Sequence, residues 1–182
     1  FKKNSKKDII NFIKKNNKYQ DVYLFGIFID DLSNLTHIGN IKIGPINFNH
    51  KYAYVSYFIG DISFWGKGYA TLSVNIITSF AFKKLKLNKC LAGVYASNKG
   101  SIKVLEKNGY VIEANFKSQL LNNNFYENEY VYACHKNLFT SIWVIFIKLK
   151  FKLNFFSKKV INYLKKIVYS LLLIPIINKF LY

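Results

Sequence analysis

The 182-residue sequence predicts a mixed α/β (α+β) domain, a mostly antiparallel, twisted sheet flanked by helices, followed by a helical C-terminal extension. Three observations predict it. Apolar residues recur at helical spacing in some stretches and as β-branched and aromatic runs in others, in the order α-β-β-β-α-β-α-β-β. Hydrophobic residues make up 51% of the chain and aromatics 18%, with nine glycines and two prolines; this supplies a core and excludes disordered and collagen-like classes. Charge also divides the chain, because residues 1–138 carry 19 lysines and all nine acids, whereas 139–182 carry eight lysines and no acid. The first part is read as the folded body and the second as a separate appendage.

Each element has its own signal. Lys6 to about Asn16 spaces Ile9, Ile10 and Ile13 at helical intervals. Val22 to Ile29 is a β-rich run, Asp30 to Asn34 is a polar turn, and Thr36 to Ile43 is the next strand, making a hairpin that Gly44-Pro45 breaks. Tyr52 to Ile59 is a third strand, aromatic on both faces and therefore expected to be buried. A glycine-containing loop follows Gly60-Asp61. Next comes a helix from about Tyr69 to Leu85, with Leu72, Ile76 and Phe80 on one face and Ile77 beside them. Cys90 to Ser97 is a strand, and Asn98 to Asn108 a helix with Ile102 and Leu105 inward and Gly109 suited to its C′ position. Tyr110 to Asn115, Phe116 to Leu121 and Tyr126 to His135 are strand-like.

The formal net charge is +18, yet every one of the 27 basic residues is lysine. Base-edge readout leans on the planar arginine fork, so no specific nucleic-acid partner is expected. AT-rich codons raise Lys, Asn and Ile without any selection for binding. The two cysteines form no CxxC pair and the three histidines are scattered, so no metal site is expected and nothing demands an oxidising compartment. No signal peptide is visible, which points to a cytoplasmic protein, and the absence of an initiator Met suggests a fragment.

The chemistry is expected in the loop Trp65-Gly66-Lys67-Gly68-Tyr69-Ala70-Thr71, between a strand and a helix. Two glycines let the backbone turn tightly and approach a ligand. The N–H groups of the following first helical turn, with the helix dipole, favour an anion such as a phosphate or pyrophosphate. An ordinary tight connection is the alternative. The string is not a dinucleotide fingerprint: Thr71 stands where the third glycine belongs, and the strand ending at Ser97 brings no acid for a ribose. Nor does any Gly-Lys-Ser/Thr close a P-loop.

This loop, followed by Asn98-x-x-Ser101-x-x-Val104-Leu105-Glu106-Lys107-x-Gly109-Tyr110, resembles the GNAT superfamily of N-acetyltransferases, most similarly its branch of ribosomal-protein N-terminal acetyltransferases. Ile38-Gly39-Asn40-Ile41 and Tyr57-Phe58-Ile59-Gly60 support the likeness, which covers about residues 5–137. The resemblance implies acetyl-CoA as donor, its pyrophosphate on the amides from Gly66 to Thr71, with Trp65, Lys67 and Lys103 also at the cofactor. It implies pantetheine beside a third strand splayed from its neighbour, and an amide near Ile59 polarising the thioester carbonyl. Asn98 would contact the cofactor arm and Ser101 would protonate the departing thiolate; as simple helix residues, Asn98 is a good N-cap and Ser101 its neighbour. Asp61, Glu127, Glu129 and His37 are candidates for a base. Leu120 stands where some ribosomal-protein enzymes carry a carboxylate, which favours a small-molecule amine such as an amino sugar over a protein N-terminus. The resemblance places the family's first strand and first helix ahead of residue 5.

In the appendage, Val160, Leu164, Ile167, Val168 and Leu171 share one helical face opposite Lys158, Lys159, Lys165 and Lys166. Segment 158–172 therefore suits a helix lying on an anionic membrane surface. The expectation is a domain at 1–138 that moves acetyl from acetyl-CoA to a primary amine, with a basic amphipathic tail at 139–182. The reading from another class is an inactive CoA-binding or membrane-interaction module.

Overall fold

The computed structural model describes residues 5–18, 21–31 and 34–139. All but Phe139 of the predicted tail, including segment 158–172, lies outside the described residues. The chain runs α1 (Lys6–Lys18), β1 (Tyr23–Asp31), β2 (Asn34–Asn47), β3 (Tyr52–Ile59), a 3-10 turn (Ile62–Phe64), α2 (Tyr69–Lys83), β4 (Lys89–Tyr95), α3 (Lys99–Lys107), β5 (Val111–Asn122) and β6 (Phe125–His135). The six strands form one sheet in the order β1-β2-β3-β4-β6-β5. All neighbouring pairs are antiparallel except β3 and β4, which run parallel and are joined through α2. This is the mixed α+β class that the sequence predicts.

Register decides which residues share a face. Ala53 pairs with Cys90, so by strand alternation Ala53, Val55 and Tyr57 lie on the same face as Cys90, Ala92 and Val94. The core forms there. Val74, Ile77 and Ala81 of α2 and Leu105 of α3 are buried with these strands, and the Phe80 ring meets Phe25 and Tyr23 edge-on at 5.8 and 5.6 Å. Tyr54, Ser56 and Phe58 stand on the opposite face, where Tyr54 is 42% and Phe58 56% exposed. The third strand is thus not buried on both sides; its aromatic composition hid an ordinary alternation.

The buried stripe of α2 is also shifted from the expected one. Ser73, Val74, Ile77, Thr78, Ala81 and Phe82 are buried, while Leu72, Ile76 and Phe80 are half-buried. The small residues let the helix approach the sheet closely. Burying Thr78 is tolerated because its hydroxyl donates to the Val74 carbonyl at 2.7 Å and lies 2.7 Å from the Tyr110 hydroxyl.

Capping follows the sequence. The Ser5 hydroxyl accepts from the Asp8 amide at 3.2 Å while the Asp8 carboxylate takes the Ser5 amide at 2.9 Å, closing both ends of a capping box on α1. At the end of α3, Gly109 adopts φ 77° and donates to the Glu106 carbonyl, while the Tyr110 amide reaches back to Leu105, a Schellman ending. Two strands run further than expected. β2 passes through Gly44-Pro45 to Asn47, with only a register shift against β3 between Ile43 and Ile46. The stretches 110–115 and 116–121 are one strand, β5, irregular between Phe116 and Leu120, where Ser118 has φ 50°.

Candidate acyl-donor site

The loop between β3 and α2 is open. Asp61 accepts the Ser63 amide at 2.8 Å to start the 3-10 turn, and that backbone hydrogen bond holds its carboxyl below the ordinary carboxylate value. The Trp65 indole N–H then donates to the Ile59 carbonyl at 3.0 Å, folding the loop back onto the end of β3. Gly66 and Gly68 follow with φ 72° and 87°. Both are in the left-handed region that glycine alone occupies without strain. A Cβ placed on either would meet nothing within 4 Å, so the space before them is free of atoms of the described residues.

Gly68 is the N-cap of α2; its carbonyl accepts the Leu72 amide at 3.0 Å, and it offers no side chain to cap the first turn. The Ala70 and Thr71 amides and the positive end of the helix therefore address that open space. Lys67 adds charge at the loop, its Nζ 5.5 Å from the centre of the Phe64 ring. From behind, Asn108 Nδ2 donates to the Thr71 and Val104 carbonyls at 3.0 and 2.9 Å and pins the first turn of α2 to α3. Sequence reading missed this anchor, because an asparagine before Gly109 looks like a helix end and nothing more.

Beside the loop, the sheet parts. Pairing of β3 with β4 stops at Tyr54↔Leu91, although both strands continue to Ile59 and Tyr95. Gly60 N–H donates to Ile38 in β2 at 2.8 Å. By the alternation of an antiparallel ladder, Tyr57 and Ile59 then turn their backbone groups away from β2, toward the parting. The indole bond to the Ile59 carbonyl fits that direction. A strand edge with free main-chain donors can bind amides as an added strand would. An uncapped helix start at one end of such a slot suits an elongated ligand with a diphosphate at its head and amides along its arm.

α3 meets the slot from the core side. Asn98 caps it, its side-chain oxygen accepting the Ser101 amide at 3.0 Å, so this oxygen is committed to the helix. Ser101 lies in the first turn, half-buried, and the Tyr57 hydroxyl approaches its carbonyl at 3.5 Å. Burial raises the pKa of Tyr57. Tyr57 was not among the expected site residues; strand parity alone, counted from Ala53, puts it on the helix side of the slot. Lys103 is exposed on α3.

The four base candidates separate. Glu127 accepts from Asn122 Nδ2, the Ser97 amide and the Ser97 hydroxyl, and these hydrogen bonds, Asn122 first, pull its pKa down. His37 shares a hydrogen bond with Asn40 at 3.1 Å and lies against the Phe28 ring. Asp61 is spent on its turn. The Glu129 carboxylate instead lies across β4 at Gly93, where an added Cβ would collide with its Oε1. Gly93 is two residues past the last β3–β4 pair, on the face of Ser56 and Phe58.

Neither cysteine belongs to this chemistry. Cys90 and Cys134 face each other across β4 and β6, free and buried. Burial pushes the Cys134 thiol up to about 12 and that of Cys90 higher still. Both are expected to resist a thiol-disulfide reagent in the native protein and to react only on unfolding, which a chromogenic thiol assay with and without denaturant measures. Fast reaction of either without denaturant would contradict this packing. Among the described residues, no group of three or more His, Cys, Asp or Glu could hold a metal ion, and no helix is long and apolar enough to cross a membrane.

Fold and slot together give a mixed α+β scaffold with an open cleft where β3 and β4 part. Comparison with known proteins makes the assignment: a family model for the acetyltransferase (GNAT) domain matches residues 2–111, and the chain belongs to that family. It is similar to a probable N-acetyltransferase, YjcK, of Bacillus subtilis (strain 168), at 34% identity over 114 residues. That match spans 61% of this chain and 60% of the relative's length. Among solved structures, spermidine N-acetyltransferase from Vibrio cholerae in complex with CoA and spermine superposes with a TM-score of 0.68 at 22% identity, over 76% of this chain and 79% of that one. The spermidine/spermine N-acetyltransferase SpeG from the same organism, in complex with manganese ions, gives 0.66 at 22% identity, over 75% and 78%. At that identity the likeness establishes the fold.

Proposed function

We propose that the chain is an acetyl-CoA-dependent N-acetyltransferase acting on a primary amine of a small molecule. The observation that carries this reading is the slot past Tyr54↔Leu91, ending at an uncapped helix start with two open glycines. When bound, acetyl-CoA supplies the activated acetyl group as a thioester. Gly66 to Thr71 seat its diphosphate through backbone amides, with Trp65 and Lys67 completing the loop. The edge of β3 aligns the arm, and the Ile59 amide donates to the thioester oxygen, where negative charge develops as the amine attacks. Asn98 shapes the adjoining end of α3, and Lys103 offers a cation to a phosphate.

The acceptor enters on the sheet face opposite α2 and α3. The Glu129 carboxylate makes no hydrogen bond or ion pair among the described residues, and over Gly93 it lies about one strand spacing, ~4.8 Å, from the slot. It is the group that receives the acceptor as an ammonium and takes up its proton. Exposed Phe58 and Tyr54 on the same face offer apolar surface to a ring. A single carboxylate beside aromatics, on a chain of net charge +18, suits a monocation such as an amino sugar better than a polyamine. The names of the structural neighbours support a small amine; the ribosomal-protein likeness of the loop supports a protein N-terminus as the second reading.

Calorimetric titration with acetyl-CoA tests the donor site, and free-thiol release over amino sugars, polyamines and peptides tests the acceptor. Saturable binding and turnover with amino sugars are expected. A folded protein that binds no acetyl-CoA would end the enzyme reading, and turnover with peptides alone would replace the acceptor class.

A further inference from the structure

The end of the sheet remote from the glycine loop is a lysine pole. Register sets the starts of β3 and β4 beside the end of β6, since Tyr52 pairs with Lys89 and Lys89 with His135. Loop hydrogen bonds tie their flanks together: the Asn88 amide donates to the Lys51 carbonyl at 2.7 Å, and the Lys136 amide to the Asn88 carbonyl at 2.9 Å. α2 also ends here, at Lys83, and the short loop 84–88 carries the chain into β4. Leu87 turns into the core from that loop, which leaves Lys84 and Lys86 outside. Lys51, Lys83 and Lys136 are exposed as well, and Lys89 is half-buried. Carboxylates at this end are few: Glu113 pairs with Lys89, Asp21 precedes β1, and Glu106 stands beside Lys107 at the end of α3. Two apolar side chains stand out among the lysines, Phe48 in the turn before Lys51 and Leu138 just after Lys136, 53% and 48% exposed. Phe139 is buried against Phe82 of α2, ring centres 5.4 Å apart, so the remaining chain leaves the body from this same pole. That sequence, 139–182, adds eight lysines and no acid.

We propose that this pole, around Lys51, Lys84, Lys86 and Lys136 with Phe48 and Leu138, docks the folded body on an anionic phospholipid surface. Ammonium groups meet lipid headgroups as point charges, without the fixed geometry of a fork, and isolated apolar side chains enter the interface between them. A nucleic-acid surface of this size would draw on arginine for bidentate phosphate contacts, and the chain has none. The contact belongs to the body itself and is distinct from segment 158–172. Docked in this way, the body stands with β3 leading away from the lipid. Its eight residues span roughly 25 Å, so the Gly66–Thr71 loop at its far end opens to water well above the headgroups. Nothing in this arrangement requires acetyl transfer, and the two readings stand or fall separately.

The test uses the whole chain and vesicles of phosphatidylcholine, with or without about 30% phosphatidylglycerol, read by flotation. Wild type is expected to float with the anionic vesicles only, and to be released as salt screens the lysines. Each lysine near such a surface is worth roughly fivefold in affinity, so Lys51→Gln, Lys84→Gln and Lys86→Gln together should weaken binding about tenfold or more. The same loss of charge at Lys7, Lys42 and Lys117, which lie off the pole, should cost less than about threefold. Because Cys90 and Cys134 are buried, an environment-sensitive dye can be placed singly through Asn49→Cys or, away from the pole, Lys117→Cys. The dye at position 49 should shift to the blue on anionic vesicles and the dye at 117 should not. Circular dichroism checks that each variant is folded. Wild type that floats with neither vesicle would overturn the proposal. So would a pole variant that binds like wild type, or an unshifted dye at 49 despite full flotation, since either would leave the tail as the contact. Binding to single-stranded RNA without binding to vesicles would overturn it in favour of a nucleic-acid partner.

Discussion

Gly68→Val is expected to weaken acetyl-CoA binding at least 100-fold while the protein stays folded. Two effects act at this position. A β-branched residue at φ 87° is strained, at a cost of about 1–3 kcal/mol, which lowers stability without unfolding a domain of ordinary robustness. The second effect is the larger for binding. A Cβ at this position meets no atom of the described residues within 4 Å, so the new side chain projects into the space that the loop leaves for the diphosphate. A 100-fold loss corresponds to about 2.7 kcal/mol, within reach of displacing a charged group from several amides. Lys67→Ala provides the contrast. Its cation is exposed, and its loss should cost less than tenfold, since a flexible surface charge is worth little. Calorimetry with acetyl-CoA, alongside far-ultraviolet circular dichroism, reads both. Wild-type affinity in folded Gly68→Val would show that the diphosphate does not sit here.

The second large effect concerns the core rather than the ligand. Tyr110 is fully buried, and its hydroxyl donates to Thr78, whose own proton is committed to Val74. Tyr110→Ala should therefore destabilise the domain by about 3–5 kcal/mol, the cost of emptying an aromatic site. Thr78→Val leaves the buried phenol without its acceptor and should cost about 1–3 kcal/mol, somewhat less if the neighbouring Cys90 sulfur takes the proton weakly. Tyr110→Phe removes the hydroxyl but strands no donor, and should cost about 1 kcal/mol. Urea denaturation midpoints give the order. A Thr78→Val variant as stable as wild type would mean that this hydrogen bond contributes nothing net.

Much of this molecule could be read before its structure. Strand and helix order came from periodicity, and the glycine turn, Asn98 cap and Gly109 ending came from backbone requirements that few residue types meet. Parity and register were harder to read. Aromatics at both even and odd positions of β3 concealed which face is covered, because tyrosine tolerates either setting. In α2, residues that are apolar nearly all round left the buried stripe undefined until Ser73, Thr78 and Ala81 were seen against the sheet. Tyr57, Asn108 and Glu129 escaped selection or ranking for a shared reason. Their significance depends on what lies across from them, on another element, and a linear string carries no such information.

The grip proposed for the donor is made almost wholly of peptide groups, at the turn and along the β3 edge. Such a grip is indifferent to most changes of side chain. Mutational pressure toward lysine, asparagine and isoleucine can rewrite the exterior of this protein, to the point of removing arginine altogether, without touching the donors on which the ligand would rest. Only a few positions, the two loop glycines first among them, resist that drift.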